Sequence, residues 1–309
     1  MISSHLRQAG IGLLVVLTIA CGADRAAAQT TLRYKFTKGE KLNYELEQKM
    51  TMAMSFGGRD ISFDMGQIID MTWNVLDVDA DGKAKMTQTI TRLRFTMDGG
   101  PAGKIDFDSK DDKEIQGEAG KLMTPILRAL AGAEIGLTMD SQGKISDVKV
   151  PEKLAKATKG FAGGPAGGGL GEMFSEEGLK RMMDQSGLRL PKEAVAKGKT
   201  WEQQMEMKMP MGKLKVETVN TYEGPAKRDG KELERVAMKP KVAFELEPGS
   251  PAKIAVKSQD AKGSAYFDKA AGRLSSTNLT QDMEMAISAM GQEMTQKIKQ
   301  TFSMKLVDK

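Results

Sequence analysis

The 309-residue chain carries 46 Lys and Arg against 41 Asp and Glu, a formal charge of +5, and 40% of its residues are hydrophobic. Its only histidine is His5 and its only cysteine is Cys21. Beyond residue 28 this excludes disulfides, thiol or imidazole nucleophile–base pairs and zinc sites built on Cys or His. The basic residues are interspersed and aromatics are only 5%, so no clustered basic face for nucleic acid is indicated.

Residues 1–28 read as an export signal. Arg7 supplies the leading positive charge, Ile11–Ala20 forms a short apolar run, and Ala26-Ala27-Ala28 offers small residues for cleavage. The run is too short for a membrane-spanning helix, which needs about 20 residues. Leu17-Thr18-Ile19-Ala20-Cys21 resembles a lipoprotein box, which makes Cys21 a candidate lipidation site. The expected location is therefore outside the cytoplasm, periplasmic or extracellular, either free or lipid-anchored to the envelope. No later stretch is apolar enough to span a bilayer as a helix.

Strict alternation begins at Leu42. Leu42, Tyr44, Leu46, Gln48, Met50, Met52, Met54 and Phe56 share one face, and Glu45, Glu47, Lys49 and Thr51 share the other. Such a period of two predicts a long amphipathic strand. After a turn at Gly57-Gly58 a second strand alternates from Ile61 to Val75, and Asp81-Gly82 marks a hairpin. The third strand shifts phase between Ile90 and Leu93, which predicts a bulge near Thr91. The spacing of Leu122, Met123, Ile126, Leu127 and Leu130 predicts a helix over 121–131. Asp140-Ser141-Gln142-Gly143 predicts a hairpin between Ile135–Met139 and Ile145–Val150. A short helix is expected over 151–159, a Gly-rich loop over 161–171, and a helix from Ser175 to about Gln185 with Leu179, Met182 and Met183 on its buried face.

Alternation then resumes. Trp201, Met205, Met207, Met209 and Met211 share a face, as do Val236, Met238, Val242, Phe244 and Leu246, and later Met294, Ile298, Phe302, Met304 and Leu306. Several short matches recur in order. Lys38-Gly39 answers Lys197-Gly198, Asp81-Gly82-Lys83 answers Asp229-Gly230-Lys231, and Asn74 answers Asn220. The reading is a duplicated β unit: residues 29–150 and 195–309 as similar halves, joined by a helical and Gly-rich connector over 151–194.

Few residues suggest chemistry. Asp77-Val78-Asp79-Ala80-Asp81-Gly82 opens like a calcium loop, but Gln88 stands where a bidentate Glu is needed. Ser141-Gln142-Gly143-Lys144 has Ser/Lys nucleophile spacing but falls on a hairpin. The run Gly167–Gly171 lacks the Gly-Lys-Ser/Thr of a phosphate loop. Methionine stands out at 23 residues. Met50, Met52, Met54, Met205, Met207 and Met209 are candidates for an adaptable apolar ligand surface, because thioether side chains are flexible and polarizable. The alternatives are a packed core and, less favoured, Cu(I) ligation.

Leu32-Arg33-Tyr34-Lys35-Phe36-Thr37-Lys38-Gly39-Glu40-Lys41, Phe107-Asp108-Ser109 and Gly198-Lys199-Thr200-Trp201 together resemble a family of uncharacterised secreted bacterial proteins, catalogued as a domain of unknown function. That resemblance implies an envelope setting and brings no activity and no site residues. The order of strands and helices is similar in shape to periplasmic lipoprotein carriers with a half-barrel.

The expected fold is mainly β, with long antiparallel strands in two similar halves forming a curved sheet, half-barrel or sandwich, and a short helical insertion. The expected function is a non-enzymatic envelope protein that binds an apolar ligand or a lipoprotein on its Met-lined sheet, without a cofactor. A structural or protein-interaction module and a carboxylate-dependent hydrolase are the alternatives.

Overall fold

A computed structural model of the protein describes residues 29–99, 103–159, 178, 183, 187–209, 212–250, 252–289 and 292–308. The strands are β1 (Lys41–Phe56), β2 (Arg59–Val78), β3 (Ala84–Gly99), β4 (Ile105–Asp108), β5 (Glu134–Met139), β6 (Ile145–Lys149), β7 (Thr200–Met209), β8 (Gly212–Arg228), β9 (Lys231–Leu246), β10 (Ala252–Asp268), β11 (Arg273–Ala289) and β12 (Gln292–Val307). Two helices, α1 (Gly117–Leu130) and α2 (Glu152–Lys159), lie between β4 and β5 and after β6. The expected Gly-rich loop over 161–171 lies outside the described residues. So does most of the expected helix near 175–185, including Leu179 and Met182, although Gly178 and Met183 are helical.

All twelve strands join one open antiparallel sheet in the order β6-β5-β3-β2-β1-β12-β11-β10-β9-β8-β7, with β4 added on β3. The two halves of the chain are therefore one sheet. They join where β1 pairs with β12, from Asn43 opposite Val307 to Phe56 opposite Met294. Alternation gives the sheet an apolar face and a charged face, and both helices pack on the apolar one. Thr91 is the bulge that the phase shift predicts: Asp70 pairs with Arg92 and Met71 with Ile90, leaving Thr91 unpaired.

The turns at 79–83 and 140–144 are built alike. Asp79 Oδ1 accepts from the backbone N–H of Asp81 and Lys83, and Asp140 Oδ1 accepts from those of Gln142 and Lys144. The aspartates thus shape hairpins by side-chain-to-backbone bonding. This use accounts for the residues that resembled a calcium loop and a Ser/Lys motif. Asp77, the first of the acidic run, pairs with Lys38 at 3.1 Å. Gly39 and Gly198 also occupy similar turns, donating to Val75 O at 2.8 Å and to Tyr222 O at 2.7 Å. The structure departs from the sequence matches in two places: Asp229-Gly230 alone turns the chain between Arg228 and Lys231, whereas Asp81-Gly82 falls within the longer turn at 79–83. Asn220 also sits opposite Trp201, three residues after Gly198, but Asn74 sits opposite Lys41, two residues after Gly39, so Asn74 and Asn220 hold different positions.

At this end of the sheet a strap ties the two outer edges together. Leu190 N donates to Gln142 O in the β5–β6 turn at 3.0 Å, and Trp201 Nε1 of β7 donates to Arg189 O at 2.7 Å. The segment around Leu32 runs alongside. Thr30 pairs with Val195, Tyr34 N reaches Ser141 O at 2.8 Å, and Lys35 N reaches Gly272 O at 2.9 Å. Leu32, Leu188, Leu190 and Val195 fill a core with Tyr222, Val236 and Phe267 beneath them. Gly143 permits the close approach: at φ +85° it tolerates the turn, and a Cβ there would stand 2.8 Å from the Tyr34 ring and 2.9 Å from Leu188 O.

Candidate functional site

The apolar face is covered unevenly. On one flank, Leu127 of α1 and Ile115, just ahead of that helix, pack with Leu93, Phe95, Ile105 and Phe107, while α2 adds Leu154 to the core around Met86 and Leu137. Arg92 and Arg94 clamp Asp108 from β3, at 2.5 and 3.0 Å, and hold its carboxyl well below the ordinary carboxylate range, Arg92 foremost. Ser109 closes the same junction with a backbone donation to Leu93 O and a hydroxyl that accepts from Leu93 N. The Arg128 guanidinium of α1 lies 5.1 Å from the centre of the Phe107 ring. Phe107-Asp108-Ser109 is thus the latch that seats β4 and α1.

On the other flank the sheet divides. β9 and β10 pair only from Met238–Gly263 to Glu234–Phe267 and then part. Beyond that point Val242 of β9 packs in one cluster with Met283 and Met285 of β11, together with Leu214, Phe244 and Ile254. The leaf made by β7, β8 and β9 therefore leans over its neighbours. Gln259 of β10 anchors it through two bonds to the backbone of Val242.

Between the flanks lies an open apolar band on β12, β1 and β2. Met50, Met52, Met54, Phe63 and Phe302 are only partly buried, and Ile61 is 38% exposed. None of these residues belongs to a core cluster among the described residues. Towards the strap the same face becomes buried at Leu42, Tyr44 and Met71. Helix α1 packs in one cluster with β3 and β4, with Met65 and Ile69 of β2 at the margin of that cluster.

The candidate residues divide between two places. Met50, Met52 and Met54 lie side by side on β1 within this band. Met205 and Met207 are partly buried on β7, the far edge strand, with β12, β11, β10, β9 and β8 between. Met209 ends β7, and its side chain lies outside the described residues, as does Cys21. Sequence reading missed the glutamines of the band. Gln48 and Gln67 sit opposite one another, and Gln281 sits opposite Gln300. Gln296 donates to the Met52 thioether at 2.8 Å.

A groove of about 900 Å³ crosses the sheet between two cross-strand rows of the charged face, where Lys49, Thr51, Asp64 and Lys299 mix both signs. Glu234 is buried yet fully engaged, by Tyr222 Oη at 2.5 Å and Lys269 Nζ at 2.8 Å. Burial and then Glu234 hold the Tyr222 phenol above its usual range. Among the described residues there is no group of three or more His, Cys, Asp or Glu arranged to hold a metal, and no helix is long and apolar enough to cross a membrane.

Residues 81–227 match the model of a family of unknown function, DUF6263, in line with the resemblance read from the sequence. The matched span holds Phe107-Asp108-Ser109 and Gly198-Lys199-Thr200-Trp201 but not the segment 32–41. No curated protein matches. Among solved structures the chain is similar to lipovitellin, in a structure described for its lipid–protein interactions, at 11% identity and TM-score 0.49 over 89% of this chain and 26% of that one. The chain thus spans about a quarter of that protein. It is also similar to an outer membrane channel from Pseudomonas putida F1, at 6% identity and TM-score 0.25 over 89% of this chain and 97% of the other. OpdQ of Pseudomonas aeruginosa is similar at 7% identity and TM-score 0.24 over 87% and 100%. These are likenesses of β architecture alone.

Proposed function

We propose that the protein is a non-enzymatic, exported envelope protein that binds an apolar ligand, free or carried on a lipoprotein, on the open band of β12, β1 and β2. The observation that carries this reading is the partial exposure of Met50, Met52, Met54, Phe63 and Phe302 in the middle of the sheet, between flanks that are well packed. Fully burying one such side chain is worth about 1.5–3 kcal/mol, so a central row left open forgoes stability that an occupant would supply. Contiguous apolar surface left partly open in this way is the kind that marks an interaction site. Methionine suits an occupant of variable shape. The mostly buried acids Asp108 and Glu234 are neutralised by Arg92 and Lys269 and serve the fold, which supports a role without catalysis.

The test is native mass spectrometry of protein purified from its own envelope, paired with titration of the apolar fluorophore N-phenyl-1-naphthylamine. Co-purified lipid and saturable fluorescence are expected, and Met52→Glu should weaken probe binding at least tenfold without loss of fold. Absence of both lipid and probe binding overturns the reading in favour of a structural or protein-interaction module.

A further inference from the structure

The open band is not uniformly apolar, and its polar members are of one kind. Gln67 on β2 pairs across with Gln48 on β1, and Gln300 on β12 pairs across with Gln281 on β11. Gln48 lies opposite Phe302 and Gln300 opposite Met50, so Gln48 and Gln300 are diagonal neighbours. The four amides form an oblique row across four adjacent strands, and all four are partly buried. Met50, Met52 and Met65 border the row on one side, and Leu46, Ile69 and Met304 border it on the other.

An amide withdrawn from water without a partner costs about 1–3 kcal/mol, so an occupant that seals this band must bond the row or be bound weakly. An amide also offers both a donor and an acceptor and carries no charge. The band holds no charged side chain: Leu42 to Met54 on β1, Ile61 to Trp73 on β2 and Met294 to Leu306 on β12 are aliphatic, thioether, aromatic or amide-bearing at every inward position. The lysines of these strands, Lys49 and Lys299 among them, belong to the opposite face. A carboxylate or phosphate drawn into the band meets no cation there.

Resting on the apolar-ligand reading above, we infer that the occupant carries uncharged hydrogen-bonding groups, ester or amide, part-way along an apolar body, and that the row Gln67–Gln48–Gln300–Gln281 bonds them. Acyl esters are the simplest chemistry that fits. Their carbonyl accepts from the glutamine –NH2, and their chains extend over the methionines.

The test is displacement of N-phenyl-1-naphthylamine from the full chain by methyl laurate, laurate and dodecane, which share a chain length and differ in the head. Methyl laurate should displace the probe at about tenfold lower concentration than either of the others, a difference of about 1.4 kcal/mol. The triple variant Gln48→Leu/Gln67→Leu/Gln300→Leu should lose the ester preference and keep its response to dodecane. Gln67→Leu alone, should the triple variant fail to fold, should narrow the preference by at least threefold. Equal displacement by ester and alkane in a wild-type protein that binds the probe overturns the inference, as does a preference for laurate or an ester preference that survives the substitutions. Failure of the wild type to bind the probe overturns the ligand reading beneath it, and this inference with it.

Discussion

The side-chain amide of Gln259 bonds the backbone of Val242 twice, accepting from its N–H at 2.7 Å and donating to its carbonyl at 3.1 Å. It does for β9 what a neighbouring strand would do, at the place where β10 has turned away. Gln259→Leu removes both bonds and leaves two backbone groups without partners, which costs about 1–3 kcal/mol. Urea unfolding should show that loss. Hydrogen exchange should show faster exchange at the Val242 amide, with Met238, still within the paired region, little changed. Unchanged exchange at Val242 would mean that the cluster around Met283 and Met285 holds the leaf by packing alone.

Asp108 is expected to give the latch a pH dependence. Its carboxyl is depressed by Arg92 foremost, so the stability it contributes is present above the ordinary carboxylate pKa of about 4 and is lost as pH falls below that. Asp108→Asn should destabilise the protein by about 2 kcal/mol at pH 7. The gap between wild type and variant should narrow below about pH 4. Chemical denaturation across pH 2–7 measures this, and a gap independent of pH would contradict the role given to the ion pairs.

Gly143→Ala should loosen the strap. The added methyl meets the Tyr34 ring and the Leu188 carbonyl, and the left-handed φ is itself unfavourable for alanine. A loss of about 1–3 kcal/mol is expected from strain at such a position. Limited proteolysis near residues 187–191 should accelerate, while the distant β9–β10 split should keep its Val242 protection.

Tyr222→Phe tests the buried acid. Glu234 keeps Lys269 but loses its 2.5 Å phenolic donor, so a cost of about 1.5–3 kcal/mol is expected in thermal or urea unfolding. Tyr222→Phe combined with Glu234→Gln should cost less than the sum of the two single changes, because the residues act as one network.

The sequence made some of this legible and hid the rest for definite reasons. Alternation from Leu42 onward marks long strands because a period of two has one physical cause, and the bulge at Thr91 shows because one extra residue reverses the phase. Asp-Gly pairs mark the hairpins for the same local reason. Which strand neighbours which is another matter. An amphipathic strand such as β1 accepts any partner of matching pattern, so nothing local announces β12 beside it. Gln259 reads as a polar interruption of an apolar face, and only the parting of β9 from β10 gives it a purpose. Met50 and Met205 have the same signature in sequence, yet one lies in the open central band and the other on an edge strand, because position in the sheet is set by long-range pairing. The glutamine row escaped notice for a similar reason: its members are contiguous only across four strands.

The pairing of β1 with β12 also governs how the molecule can come together. Strands β1 and β12 meet in the middle of the sheet, so the middle cannot be joined until the intervening chain has been supplied. Contacts of such long sequence separation make for slow folding. Until they form, β1 offers an unpaired edge and a row of bare methionines, the kind of surface on which chains stick to one another. Removing β12 would not trim the sheet at its margin; it would cut the sheet in two, through the band where a ligand is expected.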